Sequence, residues 1–236
     1  VAFFQILYLW NSSIKIMKRI FLVFAVVFSH FMFSQTAAEI IEKNITNSGG
    51  LTNWKLLNSV ILTGKVTLGL KEEYPIHIYQ QRPNLTKTSI VINKKETAIE
   101  GYNGKKGYAM NYATNKLQEY PNYEPESFDN DFIDWENKGF TAQLLGKEKI
   151  GNTFCYKVQL TKNVNHNIYY FDVNTFMLVR EQKKDETLDY SDYRKVGNLI
   201  FPFRISSNSP KKDSDYVISV SKIEINKVFP ENTFKF

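Results

Sequence analysis

Over most of this chain the apolar residues recur at every second position. Val60, Leu62, Gly64, Val66 and Leu68 form one row, and Ile61, Thr63, Lys65 and Thr67 form the other. A period of two marks a strand with one face buried. It continues through residues 74–81, where Ile76 and Ile78 stand opposite His77 and Tyr79. It then returns in residues 86–92, 96–102, 105–111, 116–120, 140–145, 153–161, 166–172, 176–183, 187–193, 199–206 and 216–225. Turn residues separate these runs: Gly151-Asn152, Asp172-Val173-Asn174, Gly197-Asn198 and Lys211-Lys212-Asp213. Asn103-Gly104 is read as the two positive-φ residues of a tight hairpin. Many short strands at regular spacing predict an antiparallel meander.

Two segments break the pattern. Thr36-Ala37-Ala38-Glu39 has the spacing of a helix capping box, and Ala37, Ile40, Ile41 and Ile45 then share one helical face. Ser48-Gly49-Gly50 suits a left-handed stop, and a short second helix over Leu51–Leu57 puts Leu51, Trp54 and Leu57 on one side. The second break is residues 119–137. Pro125 suits a first helical turn, and Phe128, Phe132 and Trp135 stand at i, i+4 and i+7. Glu126, Asp129, Asp131 and Asp134 are assigned to the solvated side of this helix. Its aromatic face fits a core-packing helix and a mobile cover equally. A sheet of some ten strands must curl or close. The expected fold is α+β, mainly β: a strongly curved antiparallel sheet forming an unclosed half-barrel. The N-terminal helices and the inserted short helix would act as a lid in its concave face.

The N-terminus reads as an address. Met17-Lys18-Arg19 is followed by an apolar run to Phe33, broken only by Ser29 and His30, and then by Ser34, Gln35 and Thr36. This is the secretory pattern, and the run is shorter than the roughly 20 residues of a spanning helix. The expected organisation is residues 1–16 as upstream translation or disordered chain, 17–35 as signal peptide, and 36–236 as one domain. No cysteine follows the leader to carry acyl chains, so the exported protein is expected to be soluble in the periplasm. Removing residues 1–35 takes away Lys15, Lys18 and Arg19 and leaves 27 Lys+Arg against 24 Asp+Glu, a net +3. With no basic stripe, a nucleic-acid partner is not expected.

Reactive chemistry is sparse. Cys155 stands alone in a strand and is read as a buried structural thiol. His77 and His166 lie on different strands with no carboxylate at ligand spacing, and no catalytic or phosphate-binding motif appears. The reading is therefore not an enzyme, with no cofactor and no metal. Aromatic residues are abundant instead, with 18 Phe, 14 Tyr and 3 Trp. A curved sheet with an apolar inner face must fill that face with its own side chains or with a ligand.

Several short motifs together resemble the LolA family of periplasmic lipoprotein carriers. They are Arg82-Pro83-Asn84-Leu85 after Tyr79-Gln80-Gln81, Asn103-Gly104-Lys105 before the strand with Tyr108, Phe171-Asp172-Val173-Asn174-Thr175, and Phe234-Lys235-Phe236, similar to a terminal Phe-x-Phe strand. The LolA-like proteins of Bacteroidetes are closer still in pattern, through Glu39-Ile40-Ile41, Gly49-Gly50, and Tyr193 through Gly197 to Phe201-Pro202-Phe203. The resemblance implies an unclosed barrel whose apolar cavity takes acyl chains under a helical lid. It gives Arg82 the role of bonding the lid and governing its opening. Thr86 and Thr88 depart from it, standing where the family has bulky aromatics, and so does the acidic segment around Asp129.

The chain is thus expected to be a carrier or chaperone that holds lipoprotein acyl chains or another lipid and delivers it toward the outer membrane. Val60, Leu62, Val66, Leu68, Ile76, Ile78, Ile90, Ile92, Tyr108 and Met110 are expected to bind the ligand. Arg82, Ile41, Ile45, Trp54, Phe128, Phe132 and Trp135 are expected to form the lid and gate. The expected partners are a lipid or acylated lipoprotein, an inner-membrane donor and an outer-membrane acceptor, and the protein is expected to be a monomer. The alternative is a non-enzymatic envelope interaction or assembly module whose barrel is filled by its own side chains.

Overall fold

The computed structural model describes residues 35–236, apart from 70, 71, 112, 122, 124, 126, 127, 185 and 209–214. The expected upstream segment, the leader up to Ser34, and the turn at 211–213 lie outside the described residues.

Two helices lead, α1 (Ala37–Asn47) and α2 (Leu51–Leu56). Six strands follow: β1 (Ser59–Leu68), β2 (Glu72–Gln81), β3 (Leu85–Ile92), β4 (Lys95–Tyr102), β5 (Gly107–Asn111) and β6 (Lys116–Tyr120). After the connection come β7 (Thr141–Ile150), β8 (Thr153–Lys162), β9 (Asn165–Asp172) and β10 (Leu178–Gln182). The last three are β11 (Thr187–Val196), β12 (Leu199–Asn208) and β13 (Tyr216–Ile225). All thirteen join one antiparallel sheet in the order β6-β5-β4-β3-β2-β1-β13-β12-β11-β10-β9-β8-β7. β6 and β7 are consecutive in sequence but stand at opposite edges. The sheet is therefore an unclosed half-barrel, and residues 121–140 must cross from one edge to the other.

α1 forms where the apolar spacing predicts it. Ile40 and Ile41 are wholly buried and pack with Phe132, Tyr156, Val158, Leu160, Tyr169 and Phe171. Each buried isoleucine contributes about 1.5–3 kcal/mol. Gly49 and Gly50, at φ 127° and 86°, stop the helix. A Cβ on Gly49 would lie 2.4 Å from the Asn198 carbonyl oxygen, so this corner seats the helices against the β11–β12 turn. In α2, Trp54 is half-buried, whereas Leu51 is exposed at 40%.

A second cluster fills the centre of the sheet. Val60, Val66, Ile76 and Ile90 are buried there with Leu57, Leu199, Phe203, Ile218, Val220 and Ile223. β1 and β13 approach closely at Gly64, where the register shifts and a Cβ would meet the Ser219 carbonyl oxygen at 2.4 Å.

Three sequence expectations need correction. Residues 128–139 form bends and turns rather than a helix. The Asn130 Oδ1 accepts from the amides of Phe132 and Ile133, which caps the chain locally and competes with helical pairing. Asp134 then takes φ 52°. Asn103-Gly104 does not supply two positive-φ residues: only Gly104 does, while Asn103 Oδ1 accepts from the Lys105 and Lys106 amides. The C-terminal Phe234-Lys235-Phe236 is not a strand. Phe236 stacks on Tyr108 at 4.8 Å and fills the space over Gly101, while Phe229 meets Tyr79 and Phe234. These rings lie on the sheet face opposite the crossing segment, whose Tyr123 stacks on Tyr102 and covers Gly107. Strand alternation explains the split, because Tyr108 pairs with Gly101 and Gly107 pairs with Tyr102.

Candidate functional site: a cavity beneath the crossing segment

Gln80 on β2 and Tyr169 on β9 line one cavity of about 330 Å³, although six strand-to-strand steps separate them in the sheet. A flat sheet would hold them roughly 29 Å apart at about 4.8 Å per strand. Curling of the sheet brings them together. The floor carries Tyr169, Leu178, Glu181 and Tyr190 from β9, β10 and β11. The roof is Phe128 to Phe132 of the crossing segment, and Asn44, Ser48 and Trp54 bring in the two helices.

Arg82 ties the roof to the body. Its Nε donates to the Leu57 carbonyl at 2.6 Å and Nη2 to the Trp54 carbonyl at 2.9 Å. Both carbonyls lie at the end of α2, where a cation is favoured, and the Trp54 carbonyl accepts from the Leu57 amide as well. Nη1 and Nη2 also grip both oxygens of Asp129, at 2.5 and 2.6 Å, in a bidentate pair. The guanidinium lies 4.9 Å from the Phe128 ring centroid, and the Phe128 amide donates to the Pro83 carbonyl. Only 19% of the Asp129 side chain is exposed, so this acid is not on a solvated surface as expected. Asp134 does reach solvent and meets Lys55 at 2.9 Å, a second tie from roof to α2.

Polar side chains shape the interior. The Tyr169 hydroxyl donates to Asp131 Oδ2 at 2.6 Å. Burial, and then the nearby Glu181 and Asp131 charges, push this phenol far above its usual range. Glu181 is itself buried; it accepts from the Tyr190 hydroxyl at 2.8 Å and meets the Lys183 ammonium at 3.0 Å. The Tyr193 hydroxyl donates to the Leu178 carbonyl, and burial raises its pKa. Asn44 donates to the Phe176 carbonyl at 2.8 Å, pinning α1 to the β9–β10 turn.

The expected gate residues gather here. Trp54, Phe128 and Phe132 line the cavity, and Arg82 bonds Asp129 in its roof. Ile41 is buried behind Phe132 in the same cluster, with Ile45 and Trp135 packed against it. The expected ligand-binding residues lie elsewhere. None of the ten lines this cavity. Val60, Val66, Ile76 and Ile90 are core, and Leu62 and Ile78 pack on that core. Leu68 and Ile92 are exposed at 40% and 42%. Tyr108 and Met110, each one residue along the strand from Gly107 and Ala109, face away from the crossing segment. Tyr169, Glu181 and Tyr190 are not singled out by the sequence, and Asp131, expected on a solvated surface, instead lines the cavity. The available sign was an acid, Glu181, at an inward strand position directly opposite Tyr169.

Among the described residues no group of three or more His, Cys, Asp or Glu is placed to hold a metal ion. Cys155 is buried, and its thiol is pushed up to about 11, chiefly by burial. No described helix is long and apolar enough to cross a membrane.

No protein-family model and no curated protein matches the chain. Solved structures do share its fold. An outer membrane lipoprotein-sorting protein domain from Vibrio parahaemolyticus superposes with a TM-score of 0.54 at 9% identity, covering 84% of this chain and 96% of that one. A LolA superfamily protein from Nitrosomonas europaea gives 0.54 at 14% identity, covering 86% and 99%. A DUF1329 family protein from Desulfovibrio piger gives 0.55 at 12% identity, covering 86% and 98%. The chain therefore has the LolA-like fold, the class that its sequence motifs resemble.

Proposed function

We propose that this protein is an exported carrier that shields the apolar part of a lipid or acylated protein beneath the crossing segment. In this reading Arg82 holds the segment closed and the cargo is delivered toward the outer membrane. One observation carries the proposal: a single arginine joins β2, α2 and the crossing segment directly beside a cavity with Trp54, Phe128 and Phe132 in its wall. The likeness of fold to a lipoprotein-sorting domain supports it. Binding would draw on burial of about 0.8 kcal/mol per CH₂, with no bond made or broken. At about 330 Å³ the closed cavity stands at the small end of ligand sites. A cargo of several chains therefore requires the segment to swing away. The test is native mass spectrometry and solvent extraction of the purified protein, with titration of a neutral long-chain fluorescent alcohol. Absence of any bound acyl species together with no probe binding would refute the carrier reading.

A second reading has its own support. The central cluster around Val66, Ile76, Ile90 and Ile218 is already filled by the sheet's own side chains. A self-filled envelope interaction module would show this too. Phe128→Ala separates the two readings. A carrier loses ligand retention at nearly unchanged stability, and a self-filled module loses stability alone.

A further inference from the structure

The cavity is not uniformly apolar, and its charges are not evenly placed. Asp129, Asp131 and Glu181 line it, against the single ammonium of Lys183. The groups that offset the two aspartates belong to the roof's other attachments. Arg82 grips Asp129 while bonding α2, and Lys138 donates to the Asn130 carbonyl at 2.8 Å; neither is among the lining residues. The lining phenols reinforce this polarity, because Tyr169 and Tyr190 donate their protons to Asp131 and Glu181. A head group entering between roof and floor meets carboxylate and phenol oxygens. Phe128, Phe132, Trp54, Leu178 and Ile200 supply the apolar walls beside them.

Resting on the carrier reading, we infer that the cavity selects single-chain amphiphiles with a hydrogen-bond-donating, cationic head of the alkylammonium class and disfavours carboxylate and phosphate heads. An ammonium can be shared among carboxylate oxygens, whereas an anion brought beside a half-desolvated Glu181 or Asp131 is repelled with little water to screen it. The volume suits one chain rather than several, because about 330 Å³ is at the small end of ligand sites.

The experiment titrates the full chain by calorimetry with dodecylamine, dodecanoate and dodecanol at neutral pH, below micelle formation. Dodecylamine is expected to bind at least about tenfold more tightly than dodecanoate, a difference of about 1.4 kcal/mol, with dodecanol between them. Glu181→Gln and, separately, Asp131→Asn are expected to cut that preference, read as the ratio of amine to carboxylate affinity, to about threefold or less. The wild-type series decides the matter even where a variant does not fold. Equal or tighter binding of dodecanoate overturns the head-group inference and leaves the carrier reading standing. Binding of none of the three probes overturns both. A preference for the amine that survives both substitutions overturns the assignment to these two carboxylates.

Discussion

Replacing Arg82 with glutamine keeps most of the stem and removes the charge and the fork. Four polar contacts are lost: those to the Leu57 and Trp54 carbonyls and both to Asp129. Asp129 is then left four-fifths buried without its counter-charge. A charged hydrogen bond is worth about 1.5–3 kcal/mol, and breaking a fully buried pair costs about 3–5. The contacts share one side chain, and the arginine is 27% exposed, so they do not add in full. A loss of about 2–3 kcal/mol is the reasoned figure. Where that energy falls separates a latch from a strut. For a latch, the crossing segment opens by itself, and exchange of the Phe128, Ile133 and Phe140 amides, which bond within and beside the segment, accelerates about 30- to 150-fold. Amides of the β1–β2 ladder stay protected. Hydrogen exchange read by mass spectrometry or NMR makes the comparison. Uniform acceleration across segment and sheet, with the melting temperature falling by about 4–12 °C, would make Arg82 a strut and refute the gate argument. Unchanged exchange in the segment would refute it equally.

Other outcomes follow from the same geometry. Phe132→Ala removes a ring that is 3% exposed and edge-on to Tyr169 and Phe171, so unfolding in denaturant should show a loss of about 3–5 kcal/mol. Gly64→Ala sets a methyl group against the Ser219 carbonyl, where only backbone can yield; thermal melts should show a loss of about 1–3 kcal/mol. Stability should hold up to about pH 10 and fall above it. Tyr169, Tyr193 and Tyr216 have folded pKa values raised above 10.0, chiefly by burial, so their neutral forms favour the fold and their ionisation in the unfolded chain pulls it open. Tyrosinate absorbance followed with pH should rise in one unfolding step for these phenols, and Tyr193→Phe should shift that step to higher pH.

The strands were legible because alternation reports burial directly, and each predicted run from Val60 to Ile225 finds its strand. α1 was legible for the same reason at a different period. The crossing segment misled because Phe128, Phe132 and Trp135 satisfy a helical spacing. Spacing shows which rings are buried together, and Phe132 and Trp135 do meet in one cluster. It does not report that Asn130 Oδ1 caps the amides in between, nor that Asp134 turns to positive φ. The acids were misplaced with the helix. Once the segment is a set of turns, nothing forces Asp129 outward, and an arginine 47 positions away captures it.

The site was missed for a reason that bears on curved sheets in general. Apolar alternation points to a cavity wall, yet aliphatic side chains pack against each other and remove space. Val66, Ile76, Ile90 and Ile218 do so in the middle of this sheet. Space persists where the inward row changes to Tyr169, Glu181 and Tyr190. Rigid phenols and a carboxylate must keep their hydrogen-bond partners, so they cannot collapse onto one another as aliphatic groups do. The cavity therefore sits where the hydrophobic signal weakens, and a ligand that enters it must match those oxygens as well as the rings around them.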